Sequence, residues 1–108
     1  MTAILRKSEA KEPFSFVFVD GEDTIVRSEN YAQKASAKNG IESVMKNSQE
    51  EGRYELKDSS NGKFYFNLKA SNGQIVATSP MFATEDDRAS AIDTLKSDAP
   101  GATVEDNA

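Results

Sequence analysis

The sequence predicts an α+β fold: two tandem β-β-β-α-β repeats forming an antiparallel sheet, with both helices packed on one face about a pseudo-twofold axis. Three observations predict it. The chain matches itself along most of its length at an offset near 50 residues. Short segments alternate apolar and polar residues between turn signals that contain glycine. Each half then passes into a segment with helical spacing.

The self-match is ordered. Phe14 and Phe16 match Phe64 and Phe66 at an offset of 50, as Ile25 and Val26 match Ile75 and Val76. Ser28, Tyr31, Ile41 and Val44 match Ser79, Phe82, Ile92 and Leu95 at an offset of 51. The residue gained by the second copy therefore falls between Val76 and Ser79, as a β-bulge inside a strand would produce. The expected organisation is a single domain over 1–108, with repeat one at 2–48, a polar linker at 49–52 and repeat two at 53–106.

The second copy is the more regular. Tyr54 to Asp58 is a strand, and Asn61-Gly62 a tight-turn signal. Lys63 to Ala70 alternates strictly, with Phe64, Phe66 and Leu68 on one face and Lys63, Tyr65, Asn67 and Lys69 on the other. Asn72-Gly73 turns the chain into a strand at Gln74 to Ser79. Pro80 ends that strand. Thr84 is an N-cap, followed by Glu85, Asp86 and Asp87, whose carboxylates complement the helix dipole. Arg88, Ala89, Ile92 and Leu95 keep helical spacing until Pro100-Gly101, and Ala102 to Asp106 is a last short strand.

The first copy is a degraded version. Its strands are Ile4 to Lys7, Phe14 to Val19 and Thr24 to Ser28, with Asp20-Gly21 as turn residues. Its helix is Gln33 to Asn47, with Ala37, Ile41, Val44 and Met45 inward. Gln33 replaces the Thr84 cap. Gly40 sits mid-helix, where glycine costs about 1 kcal/mol relative to alanine. Ser48 to Gly52 is polar and reads as the connection between copies.

Composition excludes much chemistry. The chain has no cysteine and no histidine, which removes disulfides, thiolate chemistry, most zinc sites and the Ser-His-Asp triad. The net charge of -5 opposes nonspecific binding to nucleic-acid phosphates. The first residues, Met1 to Ser8, hold no apolar signal segment, and no apolar run reaches membrane-spanning length. A cytoplasmic monomer without a cofactor is the expectation.

The stretch Asn61-Gly62-Lys63-Phe64-Tyr65-Phe66-Asn67-Leu68-Lys69-Ala70, then Asn72-Gly73-Gln74-Ile75 and Ser79, resembles the signature of the YegP-like family of small bacterial proteins. Ile25-Val26, Ser28-Glu29, Tyr31 and Gly40-Ile41-Glu42-Ser43-Val44 continue the resemblance in the first copy. The resemblance implies one sheet in which the last strand of each repeat is exchanged between repeats. It implies no activity, cofactor or catalytic residue. The first copy departs from the pattern where Glu9 to Pro13 stands in place of an Asn-Gly turn.

No motif carries a reaction. Asn61-Gly62-Lys63 lacks P-loop spacing and opens a strand. Glu85, Asp86 and Asp87 point in different directions on a helical turn, and Asp20-Gly21-Glu22-Asp23 reads as an acidic hairpin turn in preference to a calcium loop. Ser28 and Ser79 read as hydroxyls bonding nearby backbone, not as nucleophiles. The candidate binding surface is the outward sheet face: Lys63, Tyr65, Asn67 and Lys69, with Val17 and Val19 beside Ser15 as the first-copy counterparts. It predicts a non-enzymatic binding or accessory module for a protein or peptide. The alternative is a single-stranded nucleic-acid binder that stacks a base on Tyr65 between Lys63 and Lys69. No membrane partner is expected.

Overall fold

A computed structural model describes residues 1–108 as seven strands and two helices. Repeat one supplies β1 (Thr2–Lys7), β2 (Phe14–Asp20), β3 (Asp23–Arg27) and α1 (Lys34–Asn47). Repeat two supplies β4 (Tyr54–Asp58), β5 (Phe64–Lys69), β6 (Ile75–Thr78), α2 (Glu85–Asp98) and β7 (Thr103–Asn107). The strands form one sheet in the order β4-β5-β6-β3-β2-β1-β7. Two antiparallel meanders, β1-β2-β3 and β4-β5-β6, meet through Arg27 of β3 and Thr78 of β6.

One core unites the repeats. Leu5, Phe16, Phe18, Phe66 and Leu68 are fully buried on one face of the sheet. Ala37, Ile41 and Val44 of α1, and Ala91 and Leu95 of α2, close over them in the same cluster. Alternation along each strand sends the intervening residues to the opposite face, where no helix packs.

The equivalence of the repeats extends to single atoms. The Ser28 hydroxyl accepts from Phe16 N at 2.9 Å and donates to the Glu29 carbonyl at 2.7 Å. The Ser79 hydroxyl accepts from Phe66 N at 2.9 Å and donates to the Pro80 carbonyl at 2.9 Å. Phe14 bridges Tyr31 as Phe64 bridges Phe82. Phe16 stacks on Tyr31 with ring centroids 6.4 Å apart, and Phe66 on Phe82 at 6.5 Å. Each serine thus pins the start of the post-strand loop, and each loop lays an aromatic ring onto the core.

Four features correct the sequence reading. First, the sheet is not wholly antiparallel, because β7 runs parallel to β1. Both final strands are exchanged: β4 follows α1 and pairs with β5, and β7 follows α2 and pairs with β1. The pseudo-twofold places β4 beside β5 as it places β1 beside β2. β1 therefore occupies the position that would be β7's, and β7 adds one strand further out.

Second, the extra residue of repeat two is not a bulge near Ser79. Both repeats carry the bulge, at Ile25 and at Val76, where the register shifts beside Phe18/Val19 and Leu68/Lys69. The paired residues Val19 and Thr24 enclose residues 20–23, whereas Lys69 and Ile75 enclose 70–74. The added residue lies in the turn, and Val26 is the counterpart of Ala77.

Third, the Asn-Gly segments lie in five-residue connections, Ser59–Lys63 and Ala70–Gln74, closed by Ser59 N to Lys63 O at 2.8 Å and Ala70 N to Gln74 O at 2.9 Å. Gly62 and Gly73 supply the positive φ, 79° and 84°. The tight two-residue hairpin is in repeat one, where Asp20 pairs with Asp23 around Gly21-Glu22. Fourth, the connection between repeats does not begin as a solvated linker. Ser48 is fully buried, donates to the Met45 carbonyl and accepts the Tyr54 hydroxyl on its own carbonyl at 2.8 Å. A 3₁₀ turn follows at Glu51–Arg53.

The helix starts differ as expected. Thr84 Oγ1 accepts from Asp87 N at 3.1 Å, while Gln33 makes no side-chain cap although its backbone is extended and cap-competent. Gln33→Asp is therefore expected to stabilise the chain by about 0.5–1 kcal/mol. Thr84→Ala is expected to lose about 1 kcal/mol. Urea unfolding midpoints of the two variants check both signs.

Candidate functional site

The face opposite the helices divides along the pseudo-twofold. In repeat two, Asn67 lies between Glu55 of β4 and Thr78 of β6. Its Nδ2 donates to Glu55 Oε1 at 3.0 Å, and its Oδ1 accepts from Thr78 Oγ1 at 2.9 Å. Lys69 Nζ pairs with Glu55 Oε2 at 2.7 Å. Three neighbouring strands are cross-linked by this polar network.

The network changes the candidate surface. Asn67 is 6% exposed and Val17 9%, so neither offers much area to a partner. Lys69 is committed to Glu55 and is not free to track a phosphate backbone. Lys63 is exposed, and Tyr65 and Val19 are half-buried. The six residues therefore do not form one continuous basic and aromatic patch. Alternation in the sequence fixes their shared face but not their lateral neighbours, and Glu55 was not identified as one.

Hydrogen bonds from Lys69 and Asn67, in that order, hold the Glu55 carboxyl below the usual glutamate range. A lowered folded-state pKa contributes stability above the unfolded pKa, and that contribution is lost as pH falls through the folded value. Glu55→Gln is expected to flatten the acid limb of the stability profile over the window that opens at the ordinary glutamate pKa and extends below it. Urea midpoints measured across that window check it.

Repeat one builds the other half differently. Val17 lies between Ile4 of β1 and Arg27 of β3, and Ser15 lies opposite Arg6. A cleft of about 330 Å³ opens here, with Arg6, Ser15, Val17, Thr24, Arg27 and Asn30 in its wall and no carboxylate. Sequence reading missed Arg6 and Arg27. Their signal was present, as polar residues at outward strand positions, but grouping them requires the register of three strands.

Elsewhere the chemistry is spent or dispersed. A larger cleft of about 450 Å³ between α1 and the β5–β6 connection has Glu42, Lys46, Glu50 and Arg53 in its wall, so its charges oppose one another. Apolar grooves flank both sheet edges, one at Tyr54, Leu56 and Ile92, the other at Ile41, Met45 and Val104. Burial, followed by the Asp93 charge, pushes the Tyr54 hydroxyl pKa up, and that hydroxyl donates to Ser48. The Asp20–Asp23 carboxylates sit on a hairpin turn and Glu85–Asp87 on the first turn of α2. No three acidic, histidine or cysteine side chains gather as a metal-binding group. Ser28 and Ser79 spend both sides of their hydroxyls on backbone. No helix is long and apolar enough to cross a membrane.

Fold and site together define a tandem-repeat α+β domain with exchanged final strands and a helix-free sheet face. The chain belongs to the family described as a domain of unknown function, DUF1508, which matches it twice, at 11–55 and 59–106. Each match runs from before a β-hairpin through the helix into the exchanged strand. It leaves β1 outside, in keeping with β1 standing in the place of β7.

The YegP-like resemblance is thereby established. The UPF0339 protein YegP of Shigella flexneri is 52% identical over 95 residues, which cover 87% of this chain and 86% of that protein. A UPF0339 protein of Acinetobacter baylyi is 46% identical over 101 residues, 92% of this chain and 91% of that protein. The solution NMR structure of yegP from E. coli, a protein of unknown function, superposes with a TM-score of 0.89 at 47% identity, covering 98% and 91% of the two chains. That of a UPF0339 protein from Shewanella oneidensis gives 0.90 at 39%, covering 97% and 89%. The two solved structures share the fold of this chain.

Proposed function

We propose that the protein is a non-enzymatic binding module whose partner, a protein or peptide segment, docks on the helix-free face of the sheet, over the repeat-one half. One observation carries the reading: the two halves of that face are built from equivalent positions, yet only the repeat-two half is closed by its own network. Glu55, Asn67, Lys69 and Thr78 satisfy one another. In repeat one, Arg6, Ser15, Val17 and Arg27 line an open cleft, and Ile4 and Val19 stand beside Val17 on the same face. An apolar strip flanked by guanidinium groups suits a partner with both apolar and acidic side chains.

The test is affinity capture with wild-type protein, a Val19→Glu variant of this face and a Lys38→Glu control on α1. The reading expects Val19→Glu to lose partners that wild type and control both retain. Equal retention by all three would contradict it.

A further inference from the structure

The two halves of the open face differ at most of their equivalent positions, and two of these differences shape the cleft. Ser15 of β2 corresponds to Tyr65 of β5, since each faces a basic residue of its outer neighbour, Arg6 in one case and Lys57 in the other. Arg27 of β3 corresponds to Thr78 of β6, since each is opposite the central residue, Val17 or Asn67. Repeat two thus carries a tyrosine where repeat one carries the small Ser15. The cleft of about 330 Å³ lies at this serine and has a guanidinium at Arg27 where repeat two has Thr78.

The charge balance there runs against the molecule. The chain carries 18 acidic and 13 basic residues, yet no carboxylate lines this cleft. Lys34, Lys69, Arg88 and Lys96 each pair with a carboxylate, whereas Arg6 and Arg27 enter none of these ion pairs. Two unpaired guanidinium groups on either side of β2 present forked donors toward the same space. The hydroxyls of Ser15 and Thr24 and the Asn30 amide border it. Ser28, also in the wall, is saturated by Phe16 N and the Glu29 carbonyl and contributes no free donor.

We propose that this cleft binds a dianionic oxyanion group, a phosphoryl group or a pair of carboxylates, between Arg6 and Arg27. The inference rests on the open-face reading above and adds the chemistry of the group that docks. Two guanidinium groups match a charge of two. Ser15 keeps the floor open, and Thr24 and Asn30 complete the donor ring. A monoanion leaves one guanidinium unsatisfied and binds more weakly.

Amide chemical-shift titration at low ionic strength with phenyl phosphate, succinate and acetate tests the proposal and separates the two sources of a dianion. Saturable shifts centred on residues 6, 15–17 and 24–30 are expected with at least one dianion at about millimolar concentration, and weaker ones with acetate. Arg6→Gln and Arg27→Gln should each weaken binding about tenfold. Ser15→Tyr, which restores the repeat-two residue, should abolish it while the remaining spectrum stays folded. Lys38→Gln, on α1 and away from the cleft, should change nothing. Absence of saturable shifts below about 20 mM, or shifts that survive both arginine variants, would overturn the proposal. If dianions fail to bind while Val19→Glu still loses its partner, the inference fails and the docking surface stands. If dianions bind and Val19→Glu retains every partner, the reverse holds.

Discussion

Phe66→Ala is expected to lower the unfolding free energy by about 3–5 kcal/mol, the largest effect of any single substitution considered. Phe66 is fully buried, stacks on Phe82 and lies 5.6 Å from the Tyr54 ring. Its removal takes away apolar burial and leaves a void between α2 and the sheet. It also frees Tyr54, whose hydroxyl ties β4 to the buried Ser48 at the end of α1. The substitution strikes the joint between repeats, so unfolding should remain one transition with a lower midpoint. Urea denaturation followed by circular dichroism measures it. A loss below about 1.5 kcal/mol would show that the repeats do not share the core described here.

Gly40→Ala is the second expected large effect, and its sign opposes helix propensity. Propensity alone predicts a gain of about 1 kcal/mol. A Cβ at position 40, however, would lie 2.7 Å from Phe16 Cε2 and 2.9 Å from the Tyr31 hydroxyl. Phe16 is fully buried and cannot retreat without disturbing the core. Overpacking of this kind costs about 1–3 kcal/mol, so a net loss of about 1–2 kcal/mol is expected. Repeat two shows the remedy: its counterpart position carries Ala91, and the facing ring is Phe82, which has no hydroxyl. Tyr31→Phe should therefore recover part of the loss in a Gly40→Ala background. Thermal unfolding of both single variants and the double variant decides it, and a stabilised Gly40→Ala would contradict the packing.

Much of the fold was legible because its signals are local. Alternation around Phe64, Phe66 and Leu68 gave β5 and its buried face, and the Thr84 hydroxyl with its following acids gave the start of α2. Tyr31 and Phe82, and Ser28 and Ser79, matched because each pair performs one local task in both copies. Other features depend on tertiary arrangement. The Ile25-Val26 match to Ile75-Val76 is coincidental, since strand pairing makes Ala77 the counterpart of Val26. The parallel β1–β7 pair follows from β1 already occupying the edge of β2, which periodicity along the chain does not report. The mid-helix glycine read as a cost, and only the approach of Phe16 and Tyr31 explains it.

The site was half legible for the same reason. The pleat put Val17, Val19, Tyr65, Asn67 and Lys69 on one face, and Tyr65 and Ser15 already stood out as unlike counterparts. Which residues stand beside them depends on register. Register gave Lys69 and Asn67 to Glu55 and brought Arg6 and Arg27 to the two sides of β2. The proposed site rests on the serine at position 15, where repeat two has Tyr65, together with the arginine at 27, where it has Thr78.

The central claim is that a site exists where the repeat symmetry is broken, and building the broken form into the other repeat tests it most directly. A Glu55→Ile, Tyr65→Ser, Asn67→Val, Lys69→Val, Thr78→Arg variant gives the repeat-two half the repeat-one residues at these equivalent positions, with Lys57 in the role of Arg6. Phenyl phosphate and succinate titrations of this variant should show, for the dianion that wild type binds, a second set of saturable amide shifts around residues 57, 65 and 78, beside the original set. A folded variant of this kind whose shifts remain confined to the repeat-one cleft, or that shows none in either half, would contradict the account.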